Sequence, residues 1–277
     1  MKYWVSEAGG LVEAADARVS VLDHGFTVAD GVFETLKVID DVPFALHRHL
    51  ERLDRSAQRM GLPVPDRAWV REAAVRTAEA NAAELGALGR MRITYTAGAA
   101  PLGSDRGEDE PTLVIAVSHS TPWPESAAVI TVDWPRNERS PLAGVKSTSY
   151  AENVLALAEA RRHGASEALM PDTVGRLCEG TGSNVFLVLD GRLLTPSLAT
   201  GCLGGITREL VLEWTDAVVE DVPMEALFDA AEVFITSSTR DIQPVHRVDA
   251  SAYPAPGPVT AAAMHAFRER AAADLDP

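Results

Sequence analysis

Apolar and polar residues alternate along the chain in patterns that predict two successive regions of mixed strands and helices. In the first, LKVID and DVPFAL predict a hairpin that turns at Asp40–Asp41. Two helices follow, the first ending at Gly61 and the second covering 66–85, and RMRITYT then alternates as a strand does. The first helix carries an apolar stripe on one face, made of Leu46, Leu50, Leu53, Ala57 and Met60.

The second region has more predicted strands than the first. The Asp190–Gly191 pair lies between two apolar runs and predicts a tight hairpin, because its turn needs positive φ angles. Helices are predicted for YAENVLALAEARRH and ITRELVLEW, among strands such as AVITVDW, SEALMP, SNVFLVLD, AVVEDV and EVFITSS. We therefore predict an α/β (α+β) fold with a small N-terminal domain (1–118), a linker (119–124) and a larger C-terminal domain (125–277) whose sheet is antiparallel or mixed.

Composition excludes several classes of function. A chain of 277 residues that is 46% hydrophobic is long enough for one large core or two smaller ones, and a net charge of −15 argues against nucleic-acid binding. No uninterrupted apolar stretch is long enough to span a membrane. The two cysteines, Cys178 and Cys202, have no metal-ligand spacing, so we expect no metal site, two buried thiols and a cytoplasmic location.

Two side chains suggest chemistry on a phosphorylated aromatic cofactor. Lys146 is the only lysine of the predicted second domain and lies among apolar and hydroxyl residues, where partial burial favours the neutral amine needed for imine formation. Glu179 precedes a glycine-rich turn, and a buried carboxylate there keeps a pyridine nitrogen protonated. A solvent-facing lysine and an ordinary turn glutamate are the alternatives.

Three further segments are suited to a phosphate group. GGITREL places Ile206 and Thr207 at the start of a helix, where unpaired N–H groups and the helix dipole favour an anion. ITSSTRD places Ser237 and Ser238 directly after a strand. Arg52, interpreted as lying on the polar side of its helix, could bind phosphate with two hydrogen bonds, or simply pair with neighbouring acidic residues in solvent.

The ordered set of motifs resembles the fold-type-IV pyridoxal-phosphate enzymes. This family includes branched-chain aminotransferases, D-amino-acid aminotransferases, (R)-amine transaminases and 4-amino-4-deoxychorismate lyases. The resemblance covers about 19–248 and implies a homodimer with pyridoxal 5′-phosphate in the cleft between the two domains. It rests on VLDHGFTVADGVFETLKV, HLERLDRSA, VKSTSYAENVLALAEA, GASEALM, CEGTGSNVFLV, LGGITREL and EVFITSSTRDIQPV.

The resemblance also implies roles for single residues. Lys146 corresponds to the Schiff-base lysine and proton shuttle, and Glu179 to the partner of the pyridine nitrogen. Ser183 and Asn184 would shape the loop beside the ring. The expected phosphate ligands are Arg52, Ile206, Thr207, Ser237 and Ser238.

Substrate contacts are expected from four residues. Phe33 replaces a tyrosine that D-amino-acid aminotransferases often have, and Arg92 matches an arginine of the branched-chain type. Ala97 stands where the D-amino-acid type has an arginine. Tyr150 follows the lysine, and Arg240 follows the phosphate-binding serines.

The expected reaction is amino transfer between an amine or amino acid (D-amino acid, branched-chain or (R)-amine) and a 2-oxo acid. The lysine motif lacks the Asn-Arg pair common in lyases, which favours the transaminase. The alternative is an aminodeoxychorismate lyase that releases pyruvate, since TYTAGAAPLGSDRG and TSSTRDIQPVHRV resemble proteins described as such. A non-catalytic cofactor-binding protein on the same fold is a remote alternative.

Overall fold

A computed structural model describes all residues, 1–277, and their contacts divide them into two compact units. The first unit comprises Met1–Pro122, Val145–Ser149 and Leu275–Pro277, and the second Trp123–Gly144 and Tyr150–Asp274. The sequence-based division assigned all of 125–277 to one domain. In the structure, the segment that carries Lys146 and the last three residues instead group with the first unit.

The first unit is built on a six-stranded antiparallel sheet with the order β2-β1-β6-β5-β3-β4. Its strands are β1 (Lys2–Val5), β2 (Gly10–Glu13), β3 (Gly31–Ile39), β4 (Val42–Pro43), β5 (Leu88–Thr96) and β6 (Thr112–His119). Its helices are α1 (His24–Thr27), α2 (Leu46–Met60), α3 (Arg67–Glu79) and α4 (Ala82–Leu85).

Two local features of this unit occur at the residues where the sequence predicts them, the Asp40–Asp41 turn and the end of α2. Asp40 and Asp41 both have positive φ angles, 45° and 61°, and join β3 to β4 as predicted. Helix α2 ends at Gly61, whose φ of 69° places it in the left-handed region. The predicted helix and hairpin are therefore confirmed.

The single helix predicted over 66–85 is wrong, because the chain leaves the helical path at Asn81. The Asn81 amide accepts a hydrogen bond from the Lys2 N–H at 2.6 Å and donates to the Lys2 carbonyl at 2.7 Å. It also donates to the Thr77 carbonyl. These bonds to β1 compete with continued helix, so α3 and α4 form in place of one helix.

One face of this sheet forms the core of the first unit. Alternate residues of β3, Val32, Leu36 and Val38, are almost fully buried against α2, from which Leu50 and Leu53 point inward. Glu34 occupies the same face of β3 and is also fully buried. A charged group within an apolar face needs a partner, and α2 supplies it.

The second unit contains a mixed sheet of nine strands. Eight of them follow the order β12-β11-β10-β13-β14-β7-β8-β9, and β15 pairs with β14. The pairs β11·β12, β14·β7 and β7·β8 are parallel and the rest antiparallel, which confirms the predicted mixed pairing. The strands are β7 (Ala127–Thr131), β8 (Glu167–Pro171), β9 (Leu177–Gly180), β10 (Asn184–Leu189), β11 (Arg192–Thr195), β12 (Val218–Val219), β13 (Glu232–Ser237), β14 (Asp241–Val248) and β15 (Ser251–Ala252).

Four helices belong to the second unit: α5 (Ala151–Arg162), α6 (Ile206–Trp214), α7 (Ala226–Asp229) and α8 (Pro258–Ala273). Helices α5 and α6 lie where they were predicted, and Asp190–Gly191 forms the predicted hairpin with φ angles of 50° and 75°. Strand β14 was not predicted, because Pro244 interrupts its pattern. No helix combines the length and the apolar character that a membrane crossing requires.

Candidate active site

Lys146 is held beside β3 by backbone hydrogen bonds on both sides of it. The Phe33 N–H donates to the Lys146 carbonyl at 2.9 Å, and the Thr148 N–H donates to the Gly31 carbonyl at 2.8 Å. Ser147 forms a bridge with Val32. The stretch before Lys146, residues 141–144, consists of turns. A non-local extension of the first sheet thus fixes the lysine's position.

Phe33 brings two of the predicted cationic residues together. The Lys146 ammonium lies 4.6 Å from the centroid of the Phe33 ring, and the Arg92 guanidinium lies 3.7 Å from it. Arg92 lies inside β5 opposite Thr35, and its Nε donates to the Thr94 hydroxyl at 3.2 Å. Two cations around one aromatic ring make a locally positive surface on a strongly acidic chain.

Arg52 is buried in a charged cluster and does not lie on a solvent-facing side of α2. Its Nε and Nη2 donate to the two carboxylate oxygens of Glu34 at 2.9 and 2.6 Å. The His49 Nδ1 lies 2.6 Å from a Glu34 oxygen. The interpretation of Arg52 as a residue of the polar, solvent-facing side of α2 is wrong, because Glu34 on β3 binds its guanidinium in the interior.

The pKa values of Glu34 and His49 determine which groups of this cluster are charged. Burial would raise the pKa of Glu34, but Arg52 and the His49 hydrogen bond outweigh it and lower that pKa to about 2. Burial lowers the pKa of His49, despite its bond to Glu34. A carboxylate, a guanidinium and a neutral imidazole are therefore the stable combination, and the bidentate pair fixes the plane of the Arg52 guanidinium.

Glu179 lies in the second unit, in β9 and not in the turn that follows it, and only 8% of its surface is exposed. One carboxylate oxygen accepts from the Arg136 Nε at 3.1 Å, and the other accepts from the Leu203 N–H at 2.9 Å. These two donors fix the orientation of the carboxylate. Arg136 was missed by sequence reasoning, since its loop context, WPRNERS, carries no distinguishing signal.

Asn153 links Arg136 to the loop after β9. Its amide oxygen accepts from the Arg136 Nη1 at 3.3 Å, and its amide nitrogen donates to the Thr181 carbonyl. Tyr150, a predicted substrate contact, is the N-cap residue of α5 in the same unit. Asn153 therefore holds the protein's own loop in place.

The predicted phosphate segments have the expected local structures. Helix α6 begins at Ile206, after Gly205, and Thr207 is buried in its first turn. A β-carbon on Gly205 would lie 2.1 Å from the Asn184 amide oxygen, so any larger residue here would have to displace the Asn184 side chain. Asn184 also donates to the Leu203 carbonyl at 2.8 Å. The peptide N–H groups at the start of α6 are thereby kept clear of a side chain at 205.

Two of the remaining predicted residues, Ser183 and Arg240, bond to Glu167, which sequence reasoning also missed. The Ser183 hydroxyl donates to Glu167 at 3.0 Å. Ser237 ends β13, and Ser238 begins the turn that leads to Arg240. Arg240 bonds within its own unit, as its Nη1 donates to the Gln243 side chain at 2.7 Å.

The two cysteines are buried thiols, as predicted. Burial raises the pKa of Cys202 to about 11 and raises the pKa of Cys178 still further. Both are therefore protonated at neutral pH and unsuited to act as nucleophiles.

Comparison with known proteins adds independent findings. Residues 31–248 match the model of the family described as amino-transferase class IV. The chain is 31% identical to the branched-chain-amino-acid aminotransferase of Pseudomonas aeruginosa, over 94% of this chain and 90% of that protein. It is 29% identical to the aminodeoxychorismate lyase of Bacillus subtilis, over 87% and 85% of the two chains.

The chain is also similar to the solved structure of an aminotransferase. The branched-chain aminotransferase of the archaeon Thermoproteus uzoniensis, determined with norvaline, aligns with a TM-score of 0.90 and 30% identity. The alignment covers 97% of this chain and 94% of that one. The similarity thus extends over nearly the whole of both chains.

Proposed function

The chain belongs to the class IV aminotransferases, and on that premise we propose that it transfers an amino group between an amino acid or (R)-amine and a 2-oxo acid, using pyridoxal 5′-phosphate on Lys146. The family is pyridoxal-phosphate-dependent. The observation that carries the proposal is the placement of Lys146 beside Phe33 and Arg92.

The donor groups present fit the parts of this cofactor. An aldehyde needs an amine, which Lys146 supplies, and a pyridine nitrogen needs a fixed carboxylate, which Glu179 supplies. A phosphate dianion suits the start of α6 at Ile206 and Thr207, where glycine at 205 leaves the amides accessible.

Further phosphate ligands are proposed at Ser237, Ser238 and Arg52. The two serines lie where β13 meets its turn, and hydroxyl and amide groups there are suited to phosphate oxygens. The Arg52 guanidinium has a fixed plane because Glu34 binds it at two points. Ser183 and Asn184 would hold the loop beside the ring, consistent with their bonds to Glu167 and Leu203.

The bound cofactor would supply an electron-withdrawing ring that stabilises negative charge at the substrate α-carbon. Lys146 would bind the cofactor covalently until the substrate amine displaces it. Its freed amine would then take the proton from the substrate α-carbon and deliver it to the C4′ carbon of the cofactor. Glu179 would keep a proton on the ring nitrogen, and Arg136 would hold the Glu179 carboxylate in one orientation.

Arg92 is the favoured holder of the substrate carboxylate. Its guanidinium lies against the Phe33 ring and its residue is exposed, so a carboxylate can approach it. Arg240 is the weaker candidate, because its donors already bond to Gln243, Ser166 and Glu167. Tyr150 would bound the substrate from the start of α5.

A lyase is the second candidate function, favoured by the similarity to the Bacillus subtilis enzyme. The lysine motif argues against it, since Tyr150, Glu152 and Asn153 stand where lyases commonly continue with an Asn-Arg pair. Of these three residues, Asn153 is the weakest evidence against a lyase, because its side-chain amide already bonds to Arg136 and to the Thr181 carbonyl.

Steady-state assays of both reactions test the proposal. D- and L-amino acids and (R)-1-phenylethylamine are offered as amino donors to a 2-oxo acid, and pyruvate release is measured with aminodeoxychorismate. We expect amino transfer to be the faster reaction. Pyruvate release that exceeds every transfer rate would favour the lyase.

The same assay separates the role of Arg92. Arg92→Ala should raise the KM for amino acids about tenfold, the loss of roughly one charge-assisted hydrogen-bonded contact. The KM for (R)-1-phenylethylamine, which has no carboxylate, should stay the same. An equal effect on both donors would assign Arg92 a structural role.

We also propose a homodimer. The first unit exposes large apolar side chains, with Val21, Phe26 and Leu102 73%, 74% and 80% exposed. Leu22, in the same segment, accepts a backbone bond from Ala100, so the segments of Val21 and Leu102 lie side by side. Such surface is typical of an interface. Sedimentation equilibrium of the wild type and Phe26→Asp should give a dimer and a weakened dimer.

A further inference from the structure

We propose that Glu167 is a positioning residue that holds two of the proposed cofactor-binding segments together, the loop Thr181–Asn184 and the turn Ser237–Arg240. The inference rests on the proposed function, because it assigns these segments to the cofactor. Glu167 begins β8 and is 1% exposed, so it contacts neither solvent nor an incoming substrate.

One carboxylate oxygen of Glu167 binds the loop. It accepts from the Thr181 N–H at 2.9 Å and from the Thr181 hydroxyl. The other oxygen accepts from the Ser183 hydroxyl at 3.0 Å and from the Arg240 Nη2 at 3.5 Å. A single buried carboxylate thus serves donors from two segments that are far apart in the chain.

The loop is folded closely over this carboxylate. A β-carbon on Gly180 would lie 2.3 Å from the Ser183 hydroxyl and 3.1 Å from the Glu167 Cγ. The Gly180 N–H also donates to the Ser183 carbonyl at 2.7 Å. The absence of a side chain at position 180 is therefore what lets Ser183 reach Glu167.

Arg240 links Glu167 to the turn Ser237–Arg240. Its guanidinium lies 3.8 Å from the centroid of the Trp123 ring, and its backbone N–H donates to the Ser237 carbonyl at 3.1 Å. The side chain is held by Glu167 and Gln243, and the backbone closes the turn that contains Ser238. Loss of the carboxylate's charge would weaken the hold on Arg240 and leave its buried charge less well compensated.

The network continues from the loop to Glu179. The Thr181 carbonyl accepts from Asn153, Asn153 accepts from Arg136, and Arg136 donates to Glu179. A shift of Thr181 therefore reaches the proposed partner of the ring nitrogen through three hydrogen bonds. Glu167 in this way connects the ring side and the phosphate side of the proposed site.

Glu167→Gln tests the inference, with Glu232→Gln as the matched control. The amide keeps the shape of the side chain but has one acceptor oxygen and no charge. In either orientation it loses a contact to Thr181 or Ser183 in the loop, and its bond to Arg240 is lost or no longer charge-assisted. Glu232 is equally buried, at 3% exposed, but accepts from the N–H groups of Val259 and Thr260 at the start of α8.

We expect Glu167→Gln to raise the dissociation constant of pyridoxal 5′-phosphate about tenfold, which corresponds to about 1.4 kcal/mol. At saturating cofactor the decrease in kcat should be smaller than this tenfold change, because Lys146 and Glu179 themselves are retained. Glu232→Gln should lower the melting temperature and leave the dissociation constant unchanged. An unchanged constant in Glu167→Gln, or an equal increase in both variants, would overturn the inference.

Hydrogen exchange of the same proteins gives a readout that does not depend on the cofactor. Glu167→Gln should speed exchange in peptides covering 180–184 and 237–241, and Glu232→Gln only at the start of α8. Should the wild type take up no cofactor, the proposed function fails. The exchange data then still decide whether Glu167 holds both segments, and unchanged exchange in either of them refutes it.

Discussion

Replacing Glu34 by glutamine should make the stability of the protein less dependent on pH in the acid range. The carboxylate is fully buried and bonds to Arg52 at two points and to His49 at one. An amide of the same shape has only one acceptor oxygen, whereas the three N–H donors of Arg52 and His49 bind two carboxylate oxygens. The charge opposite Arg52 also disappears, and a buried guanidinium without its partner is costly.

The size of the effect follows from the pKa of Glu34. A carboxyl group whose pKa is lowered from 4.5 to about 2 on folding stabilises the fold by about 3 kcal/mol at neutral pH. Because the folded-state pKa is the lower one, this contribution is complete above pH 4.5 and is lost as the pH falls through about 2. At about pH 3.5 roughly 2 kcal/mol should remain.

The assay is urea unfolding followed by tryptophan fluorescence at several pH values between about 3.5 and 7. The difference in unfolding free energy between wild type and Glu34→Gln should be about 3 kcal/mol at pH 7 and decrease toward acid pH. Burial also lowers the pKa of His49, so its protonation destabilises both proteins as the pH falls. Because the hydrogen bond and charge of Glu34 raise the pKa of His49, this contribution differs between the two proteins, and both are therefore compared in a His49→Gln background that isolates Glu34.

Glu51→Gln is the matched control on the same helix. Its carboxylate is 46% exposed and lies 3.4 Å from Arg67, so its removal should cost less than about 1 kcal/mol at every pH. A difference for Glu34→Gln that stays constant with pH, or that is no larger than that of Glu51→Gln at pH 7, would show that the charge of Glu34 does not stabilise the buried cluster.

Three further substitutions test the proposed cofactor contacts. Glu179→Gln should retain the cofactor but slow single-turnover amino transfer at least about a hundredfold, since an amide does not hold the ring nitrogen protonated; an unchanged rate would give the carboxylate another role. Arg52→Lys keeps a cation in its buried pair but loses the two-point geometry, so the dissociation constant of the cofactor measured by equilibrium dialysis should rise about tenfold. Equal retention would remove Arg52 from the phosphate site. Gly205→Ala places a β-carbon 2.1 Å from the Asn184 amide oxygen and should weaken cofactor binding, whereas Gly182→Ala, which meets no atom within 4 Å, should not. Equal cofactor affinity in the two alanine variants would contradict the assigned packing at the start of α6.

Features set by neighbouring residues could be predicted from the sequence. The turns at Asp40–Asp41 and Asp190–Gly191 and the end of α2 at Gly61 depend on local φ angles, and their residue types indicate these directly. Helix α6 begins at Ile206, as the preceding glycines indicate. Strand β14 escaped prediction because Pro244 lacks an N–H, yet its neighbours still pair on both sides.

Features set by distant residues could not be predicted. Arg52 looks solvent-facing from the spacing of its helix, and only Glu34 on β3 explains its burial. Lys146 follows the linker in sequence but bonds to β3 of the first unit. Arg136 and Glu167 lie in ordinary loop and strand contexts, and their roles become visible only through the partners that the fold brings to them.

Attachment of the cofactor to Lys146 can be tested directly, because the chain has only three lysines. The purified protein, loaded with pyridoxal 5′-phosphate, is reduced with borohydride, digested and mapped by mass spectrometry. Lys2 and Lys37 serve as internal controls in the same digest. We expect a phosphopyridoxyl group on Lys146 alone; a label confined to Lys2 or Lys37, or no label at all, would show that Lys146 does not carry the cofactor.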